Sequence, residues 1–116
     1  MIRQVRLELA RCHEFPEGSS AHGYELSLPL TPEGRLDRGA WSKHREGLGF
    51  RRFWNGAQEH GHLRHSRRGW ALGFDAGNGE DEVIFRGDEH RFAKGEYVSI
   101  KEHDGVTRTF HVVAVQ

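Results

Sequence analysis

Apolar and polar residues alternate with a period of two at the start of the chain, where Val5, Leu7 and Leu9 share one side and Arg6 and Glu8 the other. Successive side chains of an extended backbone point to opposite faces, so the segment from Ile2 to Arg11 reads as a half-buried β-strand. Tyr24, Leu26, Leu28 and Leu30 repeat the pattern after the turn-rich stretch Pro16-Glu17-Gly18-Ser19-Ser20, and Pro29 marks the edge or the exit of that second strand. Residues 37–46 depart from it. Asp37 is placed as a helix N-cap, Leu36 and Trp41 have the spacing of a hydrophobic staple, and Gly47 stands at the usual stop. A helix of about three turns is marginal by itself, so Trp41 must dock on the sheet. The helix reads as scaffold.

From Phe50 onward the chain reads as a meander. Strands at Arg51–Trp54, His62–Ser66 and Trp70–Asp75 are separated by turns at Asn55-Gly56 and Arg67-Arg68-Gly69. Asn78-Gly79 and Asp104-Gly105 are further Asx-Gly pairs, which suit type I′ hairpins because both central residues of that turn need positive φ. A two-residue loop at Asn78-Gly79 sets Phe74 opposite Val83 and Leu72 opposite Phe85. A two-residue loop at Asp104-Gly105 sets Ile100 opposite Thr109, Val98 opposite His111 and Tyr97 opposite Val112. That second register mixes apolar and polar residues on each face, which a strongly twisted, closing sheet explains better than a flat one. Asn55-Gly56 opens onto a histidine-rich stretch and reads as part of a longer loop. The expected fold is mainly β with one short helix near 37–46. It is a single antiparallel meander, a partly closed β-barrel, in one domain spanning 1–116.

Composition narrows the setting. Of 116 residues, 35% are hydrophobic and 29% charged, which is globular and not disordered, and 15 glycines imply many turns. The 17 basic and 17 acidic residues cancel, but unevenly along the chain. Residues 35–68 hold nine Lys or Arg against three acids, and residues 69–104 hold four against nine, so one region is basic and another acidic. No apolar run approaches the roughly 20 residues of a membrane span, and the N-terminal segment alternates instead of forming a signal-peptide core. The single Cys12 makes no internal disulfide, in keeping with a reducing compartment. A cytoplasmic protein that does not engage a membrane is expected.

Histidine is unusually frequent, nine in all, and three lie in Glu59-His60-Gly61-His62-Leu63-Arg64-His65. On a strand His60 and His62 share a face, as metal ligands would, while His65 points the other way with Leu63. A third ligand would have to come from His90, His103, His111 or Glu59, and nothing in the spacing selects one. The His-x-His pair is similar to cupin metal sites, but the glutamate expected four or five residues on is replaced by Ser66, Arg67 and Arg68. Cys12 and His13 are adjacent and so face opposite sides of a strand, and Ser19 and Ser20 lack a nucleophile elbow. The acidic stretch 75–82 has glycine at the alternate positions where a calcium loop needs carboxylates. The best remaining cluster is basic and aromatic: Arg51, Arg52, Phe53, Trp54, then Arg64, His65, Arg67, Arg68 and Trp70. Arginine binds phosphate bidentately and exposed aromatic rings stack on bases. The competing account puts Phe53, Trp54 and Trp70 in the core and the arginines on a solvated outer face, and strand alternation supports it for Phe53.

Phe15-Pro16-Glu17-Gly18-Ser19, His22-Gly23-Tyr24, Arg52-Phe53-Trp54 and the run from His90 to Ile100 together resemble a family of short alphaproteobacterial proteins of unknown function. The resemblance implies a bacterial source and supplies neither site nor substrate. The Phe-x-x-Gly-Glu-x-Val-x-Ile pattern leading into an Asp-Gly hairpin is similar to strands of many small barrels, sortases among them, whose catalytic Cys and Arg segments are absent here. Two functions remain open. One is a non-catalytic binding module with no cofactor, engaging nucleic acid, another anionic ligand or a protein partner through Arg52, Trp54, Arg64, His65, Arg67, Arg68 and Trp70. The other is a metal-binding protein or metal-dependent enzyme built on His60 and His62.

Overall fold

A computed structural model of the chain describes residues 1–75, 81–84 and 86–116. Among them, strands β1 (Ile2–Leu9), β2 (Ser19–Pro29), β3 (Gly49–Trp54), β4 (Ala57–Ser66), β5 (Gly69–Phe74), β6 (Glu82–Ile84), β7 (Tyr97–Lys101) and β8 (Thr107–Val115) follow one another in space as in sequence. Each pairs antiparallel with the next, and β8 returns to pair with β1, so the sheet closes into a barrel. Among the described residues every strand has a hydrogen-bonded neighbour on both sides. Helix α1 (Arg38–His44) and a 3-10 turn (Arg45–Gly47) lie between β2 and β3. None of the described helices is long and apolar enough to cross a membrane.

The alternation of β1 and β2 holds: Val5, Leu7, Leu9, Tyr24, Leu26 and Leu28 are buried. Asp37 caps α1 by accepting the Ala40 N–H at 3.1 Å, and Trp41, next to buried Leu36, donates its indole N–H to the Leu63 carbonyl at 2.8 Å. That bond ties the helix across one end of the barrel. Asn55-Gly56 is a tight two-residue turn and not a longer loop, with φ of 48° and 95° and Trp54 paired to Ala57, so β4 begins at once.

Two expected registers are overturned. In the β7–β8 hairpin Tyr97 pairs with His111, Val98 with Phe110 and Ile100 with Arg108, one residue away from expectation. The loop has three residues, not two. Glu102 N–H donates to Val106 O at 2.9 Å, the Asp104 side chain accepts from Val106 N–H at 3.0 Å, and Gly105 takes the left-handed position at φ 85°. With this register the faces are clean: Val98, Ile100, Glu102, Arg108, Phe110 and Val112 point inward. In β5–β6 Val83 pairs with Ala71 and Leu72 with Glu82, in place of Phe74 with Val83; Asn78-Gly79 and Phe85 lie outside the described residues. The odd offset turns Val83 outward and Glu82 into the barrel, because side chains repeat every two residues.

Strand β3 inverts another expectation. Phe50, Arg52 and Trp54 face inward, and Phe53 faces out, where it is covered by the guanidinium groups of Arg6 at 4.5 Å and Arg51 at 5.1 Å from its ring centre. Long arginine stems can bury an outward ring, so burial and interior position part company here. Gly61 is an inward position on β4 at a point where the neighbouring strand bends close. A methyl group there would collide with the Gly73 carbonyl oxygen and lie 2.6 Å from the Phe50 ring. Gly61→Ala is therefore expected to destabilise the barrel by about 2–3 kcal/mol, as overpacked sites do; an unchanged urea midpoint would refute this placement.

Candidate functional site

The barrel interior is apolar at the helix-capped end and ionic at the other. Tyr24 on β2, Arg52 on β3, Glu82 on β6, Glu102 just past the end of β7 and Arg108 on β8 all point inward towards that second end, the mouth, and all are buried. Tyr24 Oη lies 2.5 Å from Glu82 Oε1 and 2.7 Å from Glu102 Oε2. Glu102 anchors both cations: Arg52 donates to Oε2 at 2.9 Å through Nε and Arg108 to Oε1 at 2.9 Å through Nη1. The outer donors are satisfied by rim carboxylates, Arg52 by Glu59 at 3.2 Å and Arg108 by Glu14 at 3.0 Å and Asp104 at 3.0 Å. Both guanidiniums rest on the half-buried Trp54, 4.3 and 5.1 Å from its ring centre.

The Tyr24 hydroxyl thus sits between two buried carboxylates. Burial is the largest influence on Glu82 and raises its pKa, against the opposing pull of the Tyr24 hydroxyl and the His103 N–H. Glu82 Oε2 meanwhile accepts from the His103 backbone N–H at 2.9 Å and faces His103 Nδ1 at 2.8 Å. His103 is partly exposed, so the chain of hydrogen bonds runs from solvent to the buried Glu102. The β1–β2 connection closes over the mouth: Glu14 clasps Arg108, and the Phe15 ring sits 4.6 Å from His22, itself 4.3 Å from Trp54. Burial, with Arg52 nearby, holds His22 below the usual histidine range. Ser19 Oγ lies 2.7 Å from His22 Nδ1 and also accepts the Ala21 N–H at 3.2 Å, the geometry of a local turn.

The basic aromatic residues are divided between the two ends. Arg52 and Trp54 belong to the mouth. Trp70 is buried at the helix-capped end, its indole N–H on Asp88 at 2.6 Å and its ring 5.9 Å from Trp41. His65 lies half-buried between these two indoles, 5.8 Å from Trp41 and 4.5 Å from Trp70. Arg64, Arg67 and Arg68 are exposed on β4 and its turn, with Arg64 paired to Asp81 at 3.3 Å. A groove of about 430 Å³ beside Arg64 is lined by Trp41, Arg45, Glu46, His62, Arg64 and His65, with Arg45 stacked 4.2 Å from a Trp41 ring centre. His60 and His62 do share the outer face, but His62 Nδ1 is engaged by Asp75 at 2.8 Å. Among the described residues no group of three or more His, Cys, Asp or Glu is placed to hold a metal ion.

Tyr24, Glu82, Glu102, Arg108 and the Trp41–Arg45 pair were not singled out by the sequence reading. A signal for three of them exists, since Glu82, Glu102 and Arg108 each stand two residues from a buried Ile84, Ile100 or Phe110. No family model matches the chain, and no curated protein or solved structure is significantly similar to it.

Two outcomes follow from the ionic cluster. Glu102→Gln strands two buried guanidiniums and should cost about 3–5 kcal/mol in urea unfolding, while Glu82→Gln leaves both arginines hydrogen-bonded to Glu102 and should cost clearly less; the reverse ranking would refute Glu102 as the anchor of the cluster. Stability should also fall in acid in two stages. His22, whose folded pKa is depressed, contributes stability above its ordinary 6.5 that is lost as pH drops through the folded value. Glu14 is lowered by its Arg108 hydrogen bonds; in Asp104 burial is outweighed by Val106 N–H and Arg108. Their contributions are lost below the ordinary carboxylate range. Thermal melting of His22→Gln against pH should lack the first stage and keep the second.

Proposed function

We propose that the protein is a non-catalytic binding module that takes a phosphate-bearing polyanion, with single-stranded nucleic acid as the form to test, on the basic end of the barrel. The observation that carries this reading is the groove beside α1, where Arg45 and Arg64 stand against the single carboxylate of Glu46, together with the exposed Arg67 and Arg68 on the adjoining β4–β5 turn. No described carboxylate pairs with Arg45, Arg67 or Arg68, so their guanidinium forks are free to bind phosphate oxygens bidentately. The mouth argues for no anion. Its two guanidiniums face Glu14, Glu59, Glu82, Glu102 and Asp104 and are already neutralised. Because Trp54 and Trp70 are turned inward, contact is with the backbone phosphates and not through stacked bases. A cytoplasmic setting, with the half-buried Cys12 kept reduced, and membership of the short alphaproteobacterial family belong to the same reading.

The test is a fluorescence titration with a labelled single-stranded oligonucleotide across a salt series. The affinity should fall with salt at a logarithmic slope of about −0.7 per phosphate neutralised, giving about −2 to −3 for three or four arginines. Arg67→Glu with Arg68→Glu should abolish binding without changing the melting temperature. Absence of binding at low salt, or binding indifferent to salt and to the double reversal, would reject the proposal.

A further inference from the structure

A second cavity, of about 590 Å³, lies where the β2–α1 connection meets the segment entering β7, beside Arg3 of β1. Its walls are held in place by backbone bonds. Gly34 N–H donates to Thr31 O at 2.9 Å, and Phe92 N–H donates to Gly34 O at 2.7 Å, which joins the two loops. Leu30, Phe92 and Val115 supply an apolar surface, and Arg3, Arg91, Lys94 and the Met1 ammonium, which donates to the Leu30 carbonyl at 3.1 Å, set four cations around it against the single carboxylate of Glu33. The volume falls in the range of small-molecule sites, and an apolar wall with a few convergent polar groups is their usual composition.

Arg3 is the distinctive member. Its Nη1 makes its side-chain hydrogen bond to the Met1 thioether sulfur at 3.6 Å, and its Nε is buried without a partner. Sulfur is a weak acceptor, and a buried Nε–H with no acceptor carries an unmet desolvation cost while the outer nitrogens of the same fork stay accessible. Arg91, by contrast, has Glu96 at 3.8 Å. The Met1 side chain is flexible and exposed, so an incoming oxyanion can displace it.

We infer that this cavity binds a small organic monoanion, a carboxylate carrying an apolar tail, with the carboxylate on the Arg3 fork and the tail against Phe92, Leu30 and Val115. This site is separate from the basic rim that the polyanion reading uses, and it shares no residue with it. Octanoate is the probe, followed by heteronuclear NMR of the full chain, with 1-octanol and acetate as controls. Octanoate should shift the resonances of Leu30, Phe92 and Val115 and leave those of Arg67 and Arg68 unmoved. Octanol and acetate, each lacking half of the recognition, should bind at least about tenfold more weakly. Arg3→Met should weaken octanoate by a similar factor, and Ala93→Phe, which fills the cavity while keeping Arg3, should abolish it. If Arg3→Met fails to fold, Ala93→Phe decides. Octanoate binding unchanged in the variants, shifts confined to the β4–β5 turn, or no shift at all would each overturn the inference, whatever the oligonucleotide titration shows.

Discussion

The buried bridge from Tyr24 through Glu82 and Glu102 to Arg52 and Arg108 is the constraint to which the rest of the barrel answers. Taking a carboxylate or a guanidinium out of water costs several kcal/mol, and only a partner of opposite charge in good geometry offsets it. Here the five partners come from β2, β3, β6, β8 and the residue that follows β7, so the cost is met only when these strands have come together in one register. A slip of one residue in β7–β8 would turn either Glu102 or Arg108 to solvent and leave the other buried without its partner. The same slip in an all-apolar barrel would be less costly. The cluster thus acts against misregistered alternatives, and Tyr24, joining two glutamates across the barrel, is its centre.

The two ends of the barrel carry opposite chemistry for a reason that lies in strand direction. Up-and-down strands deliver residues alternately to either end, so the position of a residue along its strand decides its neighbourhood more than its place in the chain. The acidic surplus of the later half appears at the mouth as Glu82, Glu102 and Asp104, and much of the basic surplus of the middle appears at the other end as Arg45, Arg64, Arg67 and Arg68. Arg52 crosses between them. It belongs to the basic stretch but sits in the mouth, where its charge stabilises the fold and is lost to any anion outside.

Much of the architecture was legible. The strand at the N-terminus, the Asp37 cap and Trp41 staple, the meander and its closing tendency all follow from local chemistry, and the structure carries each of them. The barrel, however, was inferred partly from the mixed faces of the last hairpin, and those faces were a product of a loop counted one residue short. With three residues in the loop the faces separate cleanly, and closure rests on the pairing of β8 with β1. The cluster at the mouth depends on the same register, because a two-residue loop would set Glu102 and Arg108 on opposite faces of the hairpin.

By itself, the sequence determined what short-range forces decide: where the chain turns, where it coils once into a helix, and which strands have an apolar side. Only the tertiary structure decided which charges go inside and which aromatic ring stays out, as Arg52 and Phe53 exchange expected roles on adjacent positions. The free energy of a buried charge depends on its partners. Those partners lie as far apart as 94 residues in the case of Glu14 and Arg108, beyond the reach of any periodicity read along one strand.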